Sequence, residues 1–408
     1  MNSYYADLHV HLGASSAGTP VKITASKSLT FDAVIEECSK RKGIDVVGIV
    51  DCAAPKVIRD IERLAAEDVI YELPEGGFLH RDRLLVIPGS EVEACEGEGR
   101  VSHHIGYFPY LKNLKRFSGI MGGHITNMEL SSQSSGLPCR ALYDIILSCG
   151  GIPVPAHAFT PHKSVYGKVT DSIRKIFDPE QLLSMPAIEL GLSADTDIGD
   201  MKSELAGFSF LTSSDAHSAG KIAREYTLFR MERLNFKEFS LALRSEEGRG
   251  IAANFGMDPR LGKYHRSFCK KCGKVAELPP PVLKCPACGC DDHRSFITGV
   301  LDRMSVIADT MEPVHPPSRP PYVYQIPLDY VPGLSTKGLQ RLIDAFGSEM
   351  AVIHEATLQE LSEVVRPWVA ENIIRAREGS LPIGSGGGGK YGHVERDEVR
   401  QLRFDMHS

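Results

Sequence analysis

Asp7-Leu8-His9-Val10-His11 opens the chain and Ser214-Asp215-Ala216-His217 stands far downstream, with Asp51, Glu91, His104 and His157 between them. Each lies at or just after a short apolar run that reads as a strand. Ring nitrogens and carboxylate oxygens converging from several strand ends are the donors that a cluster of Zn, Mn or Fe ions needs, because imidazoles supply lone pairs and carboxylates bridge cations. His9 and His11 are two apart, so in an extended segment both rings point to one side and reach one site. Any one of these residues alone reads as an ordinary hydrogen-bonding group; their joint pattern reads as a metal centre. The candidate ligands are His9, His11, Asp51, Glu91, His104, His157, Asp215 and His217, with Glu91 placed to bridge and with Asp7 and His103 behind them, orienting imidazoles.

The elements that must position these groups follow from periodicity. After Thr30 as N-cap, Phe31, Val34, Ile35 and Cys38 recur at helical spacing until Gly43 stops them. Asp45 to Val50 read as a buried strand ending at Asp51. Helical Ile58 to Ala66 precedes extended Leu84 to Ile87, and helical Ala141 to Cys149 precedes extended Ile152 to Pro155. Pro186 to Leu190 and Phe208 to Leu211 repeat the extended pattern. Strands alternating with helices predict a parallel α/β sheet or barrel with its chemistry at the strands' C-terminal ends. Glu189 and Asp195 fall on the same rim.

No apolar run is long enough to span a bilayer, and the metal motif stands where a signal peptide would, so a non-membrane, cytoplasmic protein is expected. The cysteines support this. Cys269-x-x-Cys272 and Cys285-x-x-Cys288 have the spacing of a structural zinc ribbon, and the other six are scattered as in a reduced intracellular protein. Cys290 and His293 are spare donors close by.

The net charge of −6 argues at first against nucleic acid, yet residues 259 to 290 hold seven basic side chains against Glu277 alone. Lys270 and Lys271 are the candidates in that strip for phosphate contact. A Pro-rich stretch follows, from Pro313 to Pro321. Beyond it, Val331-Pro332-Gly333-Leu334-Ser335-Thr336-Lys337-Gly338 resembles the helix-hairpin-helix modules of DNA repair proteins, with Gly333, Ser335 and Lys337 as candidate phosphate contacts. Ser335 replaces a usual glycine, and Arg366-Pro367-Trp368 stands where a second hairpin would carry its own. Gly384 to Gly389 reads as a flexible tether.

Asp7-Leu8-His9-Val10-His11, Gly48-Ile49-Val50-Asp51, Pro88-Gly89-Ser90-Glu91, His104-Ile105-Gly106-Tyr107, Pro155-Ala156-His157 and Ser214-Asp215-Ala216-His217 resemble the motifs of the polymerase-and-histidinol-phosphatase (PHP) superfamily of metal-dependent phosphoesterases. That resemblance implies a distorted barrel of seven strands and a trinuclear centre of Zn, Mn or Mg ions. Cys52 stands where many members have a histidine. With the ribbon, the hairpin module, Pro155-Ala156-His157-Ala158-Phe159-Thr160-Pro161 and Gly299-Val300-Leu301-Asp302-Arg303 added, the chain is similar over residues 1 to 380 to the endonuclease Q family. The resemblance implies a repair nuclease that nicks DNA on the 5′ side of a deaminated base or abasic site. The partner expected is damaged DNA with the lesion nucleotide turned out of the stack, and Phe159, His162 and Tyr166 are the candidates to line its pocket. The expected layout is a catalytic barrel over 1–258, a zinc-ribbon module with its following helix over 259–312, a linker over 313–330, a helical module over 331–380 and a tail over 381–408, in a monomer that could take a repair or replication partner. A small-molecule phosphoesterase and a non-catalytic DNA-binding module are the rival readings.

Overall fold

The computed structural model describes residues 1–395. Its centre is a mixed sheet rolled into an irregular barrel. Strand Asn2–Val10 pairs in parallel with Val46–Ile49, which pairs in parallel with Leu84–Cys95; the roll continues antiparallel through Val101–Tyr107 to Ile152–Pro155. On its other side Asn2–Val10 runs antiparallel to Tyr226–Met231, and that strand antiparallel to Gly250–Gly256. Ala187–Glu189 and Ser209–Leu211 form a separate parallel pair. Side chains stitch this pair to the rest: Thr212 Oγ1 donates to Tyr226 O at 2.7 Å and lies 3.2 Å from Asn254 Oδ1. The sheet is therefore α/β as expected, but only in part parallel, because short hairpin returns such as the one joining Cys95 to Val101 leave no room for a crossover helix.

Alternation along the first strand builds two layers at once. Ala6 and Leu8 enter a buried cluster with Val46, Leu85, Ile105 and Phe229, while Asp7 and His9, also fully buried, belong to the polar layer. The surrounding helices form for local reasons. Thr30 Oγ1 accepts from Ala33 N and caps Phe31–Glu36, and Gly43 leaves the following turn at φ +75. Pro55 opens Pro55–Ala66, which buries Val57, Ile58, Ile61 and Leu64 on one face.

The ribbon is a three-stranded unit in which Phe268–Cys269 pairs with Lys274–Val275 and Phe296–Ile297. Buried Asp302 holds it together by accepting from Ser267 N and Val282 N, each at 2.8 Å. Arg303 fastens it to the barrel, donating to Tyr166 O at 3.0 Å.

The segment expected as a linker is bound along the barrel. Arg319 chelates buried Asp200, with Nη2 to Oδ1 at 2.7 Å, and Tyr322–Tyr324 adds a parallel edge strand to Gly250–Gly256. Four short helices follow: Thr336–Phe346, Glu349–His354, Leu358–Val364 and Pro367–Arg377. They seat on the barrel through Lys42 and Glu349 at 2.8 Å and through His354, which stacks on Tyr5 with centroids 4.6 Å apart. Among the described residues no helix is long and apolar enough to cross a membrane.

Candidate metal centre and nucleic-acid interface

The first and last motifs meet through the backbone. His11 N donates to Ala216 O at 3.0 Å and Ala216 N to His9 O at 3.1 Å, so the Ser214–His217 loop extends the end of the first strand. Asp7 secures this junction by accepting from the backbone N–H groups of His9, Ser214 and Ala223, and among the described residues it makes no hydrogen bond to an imidazole. Glu91 is set by its own N–H, which donates to Val50 O at 2.7 Å. Two ligand-bearing positions sit in the left-handed region, His157 at φ +31 and Asp215 at φ +47, a conformation costly for side-chain-bearing residues and typical of sites that must aim a group. Glycine is required opposite: a Cβ on Gly191 would lie 2.8 Å from His157 Cβ.

Two carboxylates fix the rings of the His-x-His pair. His9 Nδ1 donates to Glu189 at 3.0 Å and His11 Nδ1 to Asp51 at 3.0 Å, which leaves both Nε2 atoms as lone-pair donors. Those Nε2 atoms are 3.2 Å apart, a contact between two acceptors that makes sense around a cation. Asp215 Oδ1 lies 3.6 Å from the first and 3.4 Å from the second, and Glu91 Oε1 3.5 Å from His9 Nε2. Ligand-to-ligand edges of ~3.3 Å are what a tetrahedral shell with bonds of ~2.0–2.1 Å produces. The donor set thus fits a divalent ion.

A second group adjoins it. Glu91 Oε1 is 2.7 Å from His103 Nδ1 and 3.4 Å from His157 Nε2. His103 is buried, and among the described residues neither ring nitrogen has an aligned hydrogen-bond partner, so a cation would satisfy an otherwise orphaned donor. Electrostatics agree across both groups. Burial alone would raise Glu91, but His103 and Lys22 hold it well below the carboxylate range; burial would likewise raise Asp215, but His11 and His9 hold it well below. Burial would lower His9, but Glu189 and Glu91 raise it well above an ordinary imidazole. The acids draw positive charge into the site, whether carried by protons or by metal.

Three expected ligands lie elsewhere. His104 faces away from the cavity, with Nδ1 on Tyr143 Oη at 3.1 Å and Nε2 near Ser102 Oγ at 2.8 Å, and burial drives its pKa down to about 3. His103, expected only to orient other rings, takes the cluster position, because adjacent strand residues point to opposite faces. Asp51 stands behind His11, with Oδ2 also accepting from Leu12 N at 2.6 Å. His217 lies at the rim, partly exposed, its ring 4.6 Å from that of His11. Cys52 is buried with its thiol on Ile49 O. Among the described residues the barrel therefore gathers two three-donor groups, His9/His11/Asp215 and Glu91/His103/His157, where three ions were expected.

Lys22, not marked by any motif, fills the space beside them. Its Nζ is 2.8 Å from Glu91 Oε2, 3.2 Å from His11 Nε2 and 2.5 Å from Ser132 Oγ. The ribbon site assembles as spaced: Cys269, Cys272, Cys285 and Cys288 bring their sulfurs within 4.8 Å of one another, with Cys269 to Cys288 at 3.6 Å. All ten cysteines are free thiols.

Glu91, His103, His157 and Asp215 line a cavity of about 430 Å³, with Lys22, His162, Lys263, Tyr264 and Tyr391 among the other lining residues. His162 does line it, edge-on to Tyr264. Phe159 and Tyr166 do not; they stack on each other in the core, centroids 5.3 Å apart, with Tyr166 Oη donating to Glu204. Asp195 is structural, capping Thr196–Asp200 and accepting from Tyr324 Oη. Within the basic strip, Arg260 is spent on Asp258 and Arg266 on Asp302, whereas Lys270 and Lys271 are exposed and, among the described residues, free of acidic partners. Lys270 lies near enough to help depress His162, after burial, below the usual imidazole value. In the helical module Ser335 caps Thr336–Phe346 through Gly338 N at 3.1 Å, Lys337 and Gly333 are exposed, and Gly333, at φ +82, lies against Trp368 so that a Cβ there would be 1.8 Å from the indole.

No family model matches the chain. YqxK, an uncharacterized protein of Bacillus subtilis, is 43% identical over 400 residues, 97% of this chain and 100% of that protein. The crystal structure of PfuEndoQ, a lesion-specific endonuclease from Pyrococcus furiosus, superposes with a TM-score of 0.82 and 30% identity over 98% of this chain and 97% of that one. This chain belongs to the endonuclease Q family. A structure of endonuclease Q with a 27-mer duplex substrate, an abasic lesion at its active site, matches equally, with a TM-score of 0.82, 31% identity and 98% of each chain covered.

Proposed function

We propose that this chain is a metal-dependent DNA endonuclease that hydrolyses the phosphodiester on the 5′ side of a damaged nucleotide, leaving a 3′-hydroxyl and a 5′-phosphate. The damaged nucleotide is a deaminated one (uracil, hypoxanthine or xanthine) or an abasic site. The observation that carries this reading is the pair of adjoining donor groups, His9/His11/Asp215 and Glu91/His103/His157, at a cavity of nucleotide size, in a chain that aligns end to end with an endonuclease crystallised on abasic DNA.

His9, His11, Asp215, Glu91, His103 and His157 would hold the ions, and Cys269, Cys272, Cys285 and Cys288 a structural zinc. Divalent cations held by His9, His11 and Asp215 and by Glu91, His103 and His157 would supply a nucleophilic water and a Lewis acid for the phosphoryl oxygens. Glu189 and Asp51 keep the imidazoles in the tautomer that faces the cavity. Lys22 brings an ammonium to the same place, where it offsets the acids and attracts the phosphate. Lys270 and Lys271, exposed on the ribbon, would carry the flanking duplex by its backbone. A base inside a duplex cannot enter the cavity, so the lesion must leave the stack, at least cost where pairing is already weak.

The test uses end-labelled duplexes carrying uracil, hypoxanthine, an abasic site or no lesion, with Mg, Mn or Zn supplied. The expected product keeps the damaged residue at the 5′ end of the downstream fragment, uracil opposite guanine is cut faster than uracil opposite adenine, and intact duplex survives. Release of a free base, a nick on the 3′ side or equal cutting of undamaged DNA would overturn it.

A further inference from the structure

The proposed chemistry leaves the glycine-rich stretch near the C-terminus without a task. Gly384 to Gly389 is not a loose tether: it forms a hairpin in which Ile383 pairs with Val394 and Gly384 with His393. Backbone bonds fasten the hairpin to the chain that enters the ribbon, Gly386 N to Arg260 O at 2.7 Å and Gly392 N to Leu261 O at 2.9 Å. The contact explains the composition. A Cβ on Gly386 would lie 2.6 Å from Gly262 O, and one on Gly388 2.7 Å from the Phe268 ring.

This docking delivers Tyr391 to the cavity. The Tyr391 hydroxyl accepts from Arg224 Nη1 at 2.8 Å, and the same guanidinium donates to Ser214 O at 2.8 Å and Asp215 O at 3.4 Å. Lys263 Nζ lies 4.4 Å from the Tyr391 centroid. The ring is thus held by buried Arg224, which meets its hydroxyl and whose Cζ lies 5.2 Å from its centroid, and it lines the same cavity as Glu91, His103, His157 and Asp215, with Tyr264 also in the wall. A cavity of about 430 Å³ lined by metal donors and aromatic rings has the size and surfaces for one nucleotide.

We propose that the C-terminal hairpin is the outer wall of the lesion pocket and that the Tyr391 ring is the platform on which the extruded base stacks. The proposal rests on the nuclease reading of the cavity. It carries its own control, because an abasic site has no base to stack. Tyr391 therefore acts on deaminated-base substrates far more than on abasic ones.

The experiment compares wild type, Tyr391→Ala and Tyr391→Phe, as full chains with metal content and melting temperature checked, on duplexes carrying hypoxanthine or an abasic site. Tyr391→Ala should lower the ratio of kcat/KM for hypoxanthine to that for the abasic site roughly ten- to hundredfold, the range set by base–aromatic stacking. Tyr391→Phe keeps the ring, so it should retain the wild-type ratio. A Tyr391→Trp variant should show indole quenching on hypoxanthine DNA and little on abasic DNA. Equal losses on both substrates, or a Phe variant that changes the ratio as the Ala variant does, would mean that Tyr391 works only through Arg224 and Asp215 and would overturn the proposal. Wild-type protein that cuts neither duplex would remove the nuclease reading itself, and this shows before any variant is made.

Discussion

His103 and His104 are neighbours on strand Val101–Tyr107 and serve opposite sides of it: His103 Nδ1 lies 2.7 Å from Glu91 Oε1, while His104 Nδ1 meets Tyr143 Oη at 3.1 Å in the core. Their substitutions should separate cleanly. His103→Ala should lower cleavage by orders of magnitude and reduce barrel metal with little change in melting. His104→Ala should leave the metal count intact and destabilise the fold by roughly 2–5 kcal/mol, as removal of a large buried side chain does. Elemental analysis and denaturant unfolding of both variants decide the assignment, and the reverse pattern would return His104 to the ligand set.

Metal content gives a second check. Two donor groups in the barrel and one in the ribbon predict a value near three ions per chain for protein purified without chelator, one fewer than a trinuclear centre plus ribbon. Glu91 belongs to one barrel group and its Oε1 lies 3.5 Å from His9 Nε2 of the other, so Glu91→Gln should lower the barrel metal while sparing the ribbon zinc, and abolish cleavage while DNA binding persists. Four ions in wild type would mean that His217 and its neighbours hold another.

Lys270 and Lys271 are exposed and unpaired among the described residues, unlike Arg260 and Arg266. Replacing both with Ala should weaken binding to damaged and intact duplex alike and lower the salt slope by about two units if both meet phosphate. Titrations across a salt series measure this, and an unchanged slope would make the strip a solvated surface.

Stability should carry a pH signature from Glu225. Burial pushes its carboxyl up from 4.5 to about 8; Oε1 accepts from Met257 N and Oε2 has no hydrogen-bond partner among the described residues. The folded state therefore holds this proton more tightly than the unfolded one. The contribution is complete below the unfolded pKa and is lost as pH rises through the folded value. Glu225→Gln should gain on wild type between pH 5 and pH 9 by an amount on the order of 3 kcal/mol. Unfolding curves at the two pH values measure the difference, and a constant offset would exclude the shift.

The sequence by itself determined the donor types, the ribbon and the strand ends that carry the chemistry. His9 and His11 share a face because a strand has a period of two, and four cysteines at zinc spacing have few other uses. Strand Val101–Tyr107 shows where that stops. A His-His pair must send one ring each way, and only the barrel's closure decides which side is inside. The same limit hid Asp51 behind His11 and put Phe159 and Tyr166 in the core, since adjacency in the chain to His157 says nothing of direction. Lys22 and Tyr391 carried no signal at all. One lies in a loop and the other after a run of glycines, and each reaches the cavity through contacts with residues remote in sequence, Lys22 with Glu91 and Tyr391 with Arg224. Spacing fixes local geometry, but convergence over such separations is set by packing, and packing alone joined the two ends of this chain at one site.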